Sequence, residues 1–143
     1  MMEKEAAIVK KISEQFSFLK VQDAVRRPRR IWIDVPLDKL HSVLEYAAKD
    51  LNFAILCAIT GLDEGENLGF IYHVADENGI VLSFKTSVPK NFPEIDTVTG
   101  LFASAEIYER EIVDLLGARV RGLTDGKRYP LPDEWPQGQY PLR

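Results

Sequence analysis

A single cysteine, Cys57, and two histidines, His41 and His73, are all the soft metal-ligand chemistry in this chain of 143 residues. They are too few for the chain alone to build a four-ligand zinc site or a four-thiolate iron–sulfur cluster. A lone thiol has no intrachain partner, so a disulfide framework is excluded. No apolar run approaches the roughly 18 residues that read as a membrane span. The opening residues, Met1-Met2-Glu3-Lys4-Glu5, have neither the basic nor the apolar region of a secretory leader, so a cytoplasmic location is expected. Positive charge is not in excess. With 18 Lys+Arg against 22 Asp+Glu the net charge is −4, which argues against a general nucleic-acid binder. Nor is there a phosphate loop, since Gly61 to Gly69 fits neither the Walker pattern nor the dinucleotide glycine pattern.

What remains is an ordinary globular composition, 45% hydrophobic and 28% charged, of a length that suits one domain. Ala6, Val9, Ile12, Phe16 and Leu19 approximate helical spacing and predict a first helix within 3–19. Pro28 breaks helix, and Ile31 to Val35 reads as a short strand ending at Pro36. Leu40, Val43, Leu44, Ala47, Ala48 and Leu51 form one continuous apolar stripe, which predicts a helix over 37–51. The unbroken apolar run from Phe53 to Ile59 reads as a central strand covered on both faces. Strands follow at 68–74 and 80–88, and Asn78-Gly79 between them supports a tight hairpin. Thr97 is placed to cap a last helix running to Leu116, with Gly117 at its C′ position. The expected fold is therefore α+β: a mostly antiparallel sheet with helices packed on one face around a ferredoxin-like β-α-β-β kernel.

Few residues outside the core suggest chemistry. On the last helix Glu106–Arg110 and Arg110–Asp114 are i,i+4 pairs, which predicts a salt-linked ladder. Glu109 sits at the border of the apolar stripe, where a carboxylate must be paired or have a raised pKa. It fits either a catalytic acid or a buried ion pair with an arginine. Cys57, inside an apolar strand, reads as a small buried hydrophobe. His41 has Glu45 at i+4, which suits a surface pair, and His73 lies on a strand with no nucleophile–base pattern beside it. Arg26, Arg27, Arg29 and Arg30, four of the nine arginines, could touch an acidic surface, anionic lipid or nucleic acid, or form a solvated linker.

From Leu123 the chain changes character. Residues 123–143 hold four of the eight prolines and show no helical or strand period, yet carry Tyr129, Leu131, Trp135, Tyr140 and Leu142. Restricted backbone and exposed aromatics are what partner-binding segments use. The expected organisation is thus an α+β domain over 1–122 and an extended partner-binding tail over 123–143.

Within this region, Glu109-Arg110-Glu111-x-x-Asp114-x-x-Gly117 is followed by Arg128-x-x-Leu131-Pro132-Asp133-Glu134-Trp135-Pro136-x-Gly138-x-Tyr140-Pro141-Leu142-Arg143. This wording resembles the respiratory-chain NADH dehydrogenase 30 kDa subunit family, the 30 kDa subunit of complex I, which includes the related subunit of energy-converting, membrane-bound nickel–iron hydrogenases. Pro93-x-Ile95-x-Thr97-Val98 and Ile59-Thr60-Gly61-Leu62-Asp63 fit the same pattern, so the resemblance spans roughly residues 30–143. Leu123-Thr124-Asp125-Gly126 departs from it, standing where the family often has a His-Pro-Asp turn. The resemblance implies an accessory subunit of a membrane-associated oxidoreductase complex, with no cofactor or catalytic residue of its own. Iron–sulfur clusters, and nickel–iron in a hydrogenase, would sit on partner chains. The implied partners are the large subunit (49 kDa or hydrogenase-large type) and the iron–sulfur small subunit. Glu109, Arg110, Glu111 and Asp114 would order the helix and the start of the tail, with Arg128, Pro132, Trp135, Tyr140, Pro141, Leu142 and Arg143 at the interface. The competing reading is a stand-alone small enzyme using Glu109 or Cys57.

Overall fold

A computed structural model describes residues 2–143. Helix α1 (Glu3–Gln15) buries Glu5, Val9 and Ile12 on one side. It is shorter than its apolar pattern, and the chain beyond Gln15 turns toward a hairpin of β1 (Val25–Arg27) and β2 (Arg30–Asp34). Helix α2 (Leu40–Lys49) follows a single 3-10 turn and buries Leu40, Val43, Leu44 and Ala47, the stripe read from the sequence. Strands β3 (Ile55–Asp63), β4 (Asn67–Ala75) and β5 (Val81–Pro89) then form an antiparallel meander. Gly79, with φ of 80°, makes the expected tight turn between β4 and β5, and Asp76 Oδ1 accepts the N–H groups of Asn78 and Ile80 to fix it.

The sheet order is β1-β2-β5-β4-β3, antiparallel throughout except for the β2–β5 pair. Its β2–α2–β3 unit is split by two strands. One core joins Ile12, Leu44 and Ile112 from the helices to Ile33, Ile59, Phe70, Tyr72 and Phe84 from one sheet face, whereas Ile71 and Ala75 on the opposite face are buried but stand outside it. The fold is α+β, with a mostly antiparallel sheet and helices on one side. Beyond it lie β6 (Glu94–Asp96), α3 (Ala105–Leu116) and β7 (Arg119–Arg121), with β6 and β7 paired in parallel.

Three expectations need correction. Strand β3 is at the sheet edge, covered on one face only, because β4 and β5 fold back between it and β2. Cys57 is exposed, since a bulge between Leu56 and Ala58 takes residue 57 out of the ladder. The last helix starts at Ala105, since Thr97 and the N–H of Val98 are both engaged by Glu109 and the chain reaches the helix through turns.

Helix α3 can lie close on β3 because Gly61 has no side chain: a Cβ there would run into Cδ1 of Leu116, itself almost wholly buried. Gly61→Ala is expected to lower stability by about 2 kcal/mol, overpacking outweighing the entropy gained in the unfolded chain. Chemical denaturation measures this directly, and an unchanged midpoint would mean that α3 can move away freely.

A candidate docking site on the last helix and tail

Glu109 is fully buried on the inner side of α3. Its carboxylate accepts the hydroxyl of Thr97 at 2.6 Å and the N–H of Val98 at 2.8 Å. Burial pushes its carboxyl above the usual carboxylate range, against the pull of these two donors. The arginine partner expected from the sequence is absent. Arg110 points the other way, donating to Glu106 at 2.9 Å and to the Thr124 carbonyl at 2.7 Å. Glu109 therefore ties α3 to the segment after β6.

Asp114 does what the ladder reading did not foresee. The Glu106–Arg110 pair forms, but Asp114 turns from Arg110 to accept Arg128 Nε at 3.3 Å and the Leu131 N–H at 3.1 Å. Its side chain is buried beneath the first part of the tail. A second clasp closes at the end of α3. Gly117, with φ of 76°, ends the helix, and the Tyr140 ring covers it so closely that a Cβ would meet Cε2 at 2.6 Å. The Leu142 N–H donates to the Leu115 carbonyl at 3.0 Å and Arg143 Nε to the Leu116 carbonyl at 2.7 Å. These are terminal carbonyls that the helix cannot satisfy itself, and a cation at that end also suits the helix dipole. The Arg143 guanidinium stacks over Tyr140 at 4.8 Å.

Between the clasps the chain bows outward. The Pro132 carbonyl accepts the Trp135 N–H, Arg128 donates to the Trp135 carbonyl at 2.9 Å, and the Trp135 indole donates to the Gln139 carbonyl at 2.9 Å. No residue of 123–143 is buried, although this stretch includes three aromatics. Where the tail leaves α3, an open groove of about 470 Å³ runs between Ile107 and Tyr129, which are 46% and 42% exposed.

The structure thus gathers Arg110, Asp114, Gly117, Arg128, Pro132, Trp135, Tyr140, Leu142 and Arg143 into one helix–tail unit. Glu109 supports it from beneath. Glu111 is half-buried and makes no ion pair among the described residues, and Pro141 is exposed between Tyr140 and Leu142. Sequence reasoning gave Thr97 the role of a helix cap and missed Thr124, Ile107 and the Leu131 N–H. Only Ile107 had a signal, as an isoleucine off the apolar stripe. The other candidates lie apart. Among the described residues the one hydrogen-bond partner of Cys57 Sγ is the Ile55 carbonyl, at 4.0 Å. His41 is exposed and Glu45 pairs with Lys49 instead of with it. His73 lies between Thr60 and Ser83 at 3.0 and 2.8 Å, and burial lowers its pKa. Among the described residues no group of three or more His, Cys, Asp or Glu is arranged to hold a metal, and no helix is long and apolar enough to cross a membrane.

Comparison with known proteins takes in most of the chain, this region included. The family described as respiratory-chain NADH dehydrogenase, 30 Kd subunit, matches residues 33–143. A subunit of the F(420)H(2) dehydrogenase of Methanosarcina mazei is 32% identical over 139 residues, covering 95% of this chain and 87% of that protein. The membrane-bound hydrogenase subunit beta of Pyrococcus furiosus is 25% identical over 153 residues, covering 99% and 86%. A chain in the structure of the membrane-bound sulfane sulfur reductase, an archaeal respiratory membrane complex, superposes with a TM-score of 0.86 at 30% identity, covering 97% of this chain and 83% of that one.

Proposed function

The chain belongs to the respiratory-chain NADH dehydrogenase 30 kDa subunit family, and from that premise we propose that it is an accessory subunit that docks a partner through α3 and its tail. The complex is of the membrane-associated kind named for its relatives, complex I-like or hydrogenase-like. The partner we assign to the helix–tail unit is the large catalytic-type subunit, with the iron–sulfur small subunit beside it, on the cytoplasmic face. Clusters and any nickel–iron centre belong to those partners, and this chain supplies shape and rigidity to the assembly.

One observation carries the reading. The tail is fastened at both ends, by Asp114 and by the last carbonyls of α3, yet buries none of its own residues. Ordering an exposed, aromatic-bearing strap gains little for the isolated domain. It gains much for binding, because the entropy of immobilising the segment is already spent before contact. Trp and Tyr are the side chains that dominate such interfaces. The enzyme alternative loses its support in the same geometry: Glu109 is sealed and held by structural donors, and among the described residues Cys57 hydrogen-bonds only to a backbone carbonyl and to no base.

Deleting residues 123–143 tests the assignment. The truncated chain is expected to keep a single cooperative unfolding transition, since no buried residue is removed, and to lose co-purification with the large subunit. Undiminished co-purification would exclude docking through the tail.

A further inference from the structure

The hairpin joining β1 to β2 is strongly charged, and docking through α3 and the tail leaves it unused. Arg26, Arg27, Arg29 and Arg30 are all exposed, and none has a carboxylate within 4.0 Å among the described residues. Elsewhere Lys85, Lys90, Arg110, Arg121 and Arg128 each find one, and the other cations without one, among them Lys20, Lys39, Arg119 and Lys127, are scattered along the chain and not clustered. In a chain of net charge −4, this knot of unneutralised cations is a local feature and not a consequence of composition.

The turn is also built rigidly. Arg27 and Arg30 pair across it, leaving Pro28 and Arg29 as its two central residues. Arg29 has φ of 64°, a conformation that glycine enters freely and arginine does not. It is held there from both sides. The carboxylate of Glu5, buried on α1, accepts the Arg29 N–H at 2.8 Å, and the Arg29 carbonyl accepts the Val81 N–H at 3.0 Å. A solvated linker needs no such fixing.

Position gives it a separate role. Strand β1 is at one edge of the sheet and β3, on which α3 packs, at the other. Four strand spacings put the two edges about 19 Å apart. The hairpin also precedes the family match, which begins at residue 33.

We propose that this arginine turn is a second docking element, seated on a carboxylate-lined surface of another subunit, so that the chain bridges two partners from opposite edges of its sheet. The proposal rests on the reading of the chain as a complex subunit. Fixed guanidinium forks suit fixed carboxylates, which they bind in bidentate fashion. A bilayer surface is a poorer match, because no large apolar side chain from Ala24 to Pro36 is exposed to enter it. Nucleic acid is disfavoured by the net charge.

The test replaces Arg26, Arg27 and Arg30 with Glu together, keeping Arg29 so that the backbone of the turn stays intact. The variant's thermal midpoint is compared with that of the parent, and a matching Arg-to-Lys triple serves as the conservative control. Each is titrated against the isolated large subunit and against the complex assembled without this chain. The expected result is unchanged affinity for the large subunit, at least tenfold weaker binding to the complex, a flatter salt dependence, and partial recovery in the lysine variant. Parent-like binding and salt slope in the Glu triple, with loss confined to the 123–143 deletion, overturn the proposal and leave the tail reading standing. Loss confined to the Glu triple supports the proposal and removes the tail's role instead. Arginine-dependent binding to vesicles containing phosphatidylserine or to duplex DNA, with complex affinity unchanged, also overturns it.

Discussion

Glu109→Ala is expected to lower the unfolding free energy by about 3 kcal/mol. The change leaves the buried Val98 N–H without its acceptor, and the Thr97 hydroxyl must turn to Thr99 Oγ1, 2.9 Å away. An unsatisfied buried donor costs about 1–3 kcal/mol, and the space vacated in a close-packed region adds a cavity penalty. Part of this is offset, because the variant no longer buries a charge. Glu109→Gln separates the two effects. Its amide oxygen can still accept the Val98 N–H and its NH₂ group can donate to the Thr97 hydroxyl, so the bonding survives while the titration disappears. The folded carboxyl ionises above its ordinary value, so its stabilising contribution is complete below pH 4.5 and is lost as pH rises through the folded value. The Gln variant should therefore gain on the parent as pH rises out of the acid range. Urea denaturation of both proteins from pH 4 to 8 gives the difference, and a flat or opposite trend would contradict the burial argument.

The same residue shows what a sequence can and cannot reveal. Its burial was legible, because a carboxylate four residues after Ala105 and three before Ile112 has to face the core. Its partner was not. A backbone N–H is present at every non-proline position, so Val98 left no mark that an arginine would have left. Thr97 misled for a related reason: it is the right residue type to cap a helix, but its hydroxyl was already committed elsewhere. Local periodicities fared better. The α2 stripe, the Asn78-Gly79 turn and the Gly117 terminus each depend on residues a few positions apart, and each stands where it was read. The apolar run of β3 was ambiguous in principle. A strand covered on both faces and an edge strand with a bulge can share one composition, and only the order in which β4 and β5 return decides between them.

The tail was legible in its wording but not in its path. Its motif pointed to the family that the comparisons show, and its aromatics are the ground for proposing that it docks a partner. Its attachment depends on contacts 14 to 27 residues apart, between Asp114 and Arg128 and between Leu116 and Arg143. Both use an element that sequence periodicity treats as finished. A helix end offers free carbonyls, and a buried aspartate on its last turns offers a second lone-pair-rich anchor. Helix α3 is thus a packing element on one side and a mounting for the tail on the other.

From that arrangement Asp114→Ala is expected to weaken partner binding by about 30- to 150-fold while leaving the domain folded. The substitution removes the acceptor of both Arg128 Nε and the Leu131 N–H, and with it the clasp nearest the start of the tail. The second clasp, at Leu115 and Leu116, is untouched, so the tail stays tethered at its end but loses its fixed path between. Docking must then supply the ordering entropy that Asp114 supplied in advance, about 2–3 kcal/mol for a few residues and side chains, which sets the stated fold-change. Amide hydrogen exchange reports the cause and titration against the large subunit the consequence. The Leu131 amide should lose its protection while the Leu142 amide retains it. Asp114→Asn keeps an oxygen for the Leu131 N–H but gives up the charge facing Arg128, so it should fall between the parent and the alanine variant. Three outcomes distinguish the underlying ideas. Loss of protection with loss of affinity supports a strap ordered before contact. Loss of protection with unchanged affinity means the partner orders the tail itself and the pre-formed clasp is incidental to docking. Retained protection means that the clasp does not depend on Asp114, and the burial of its carboxylate beneath the tail has some other cause.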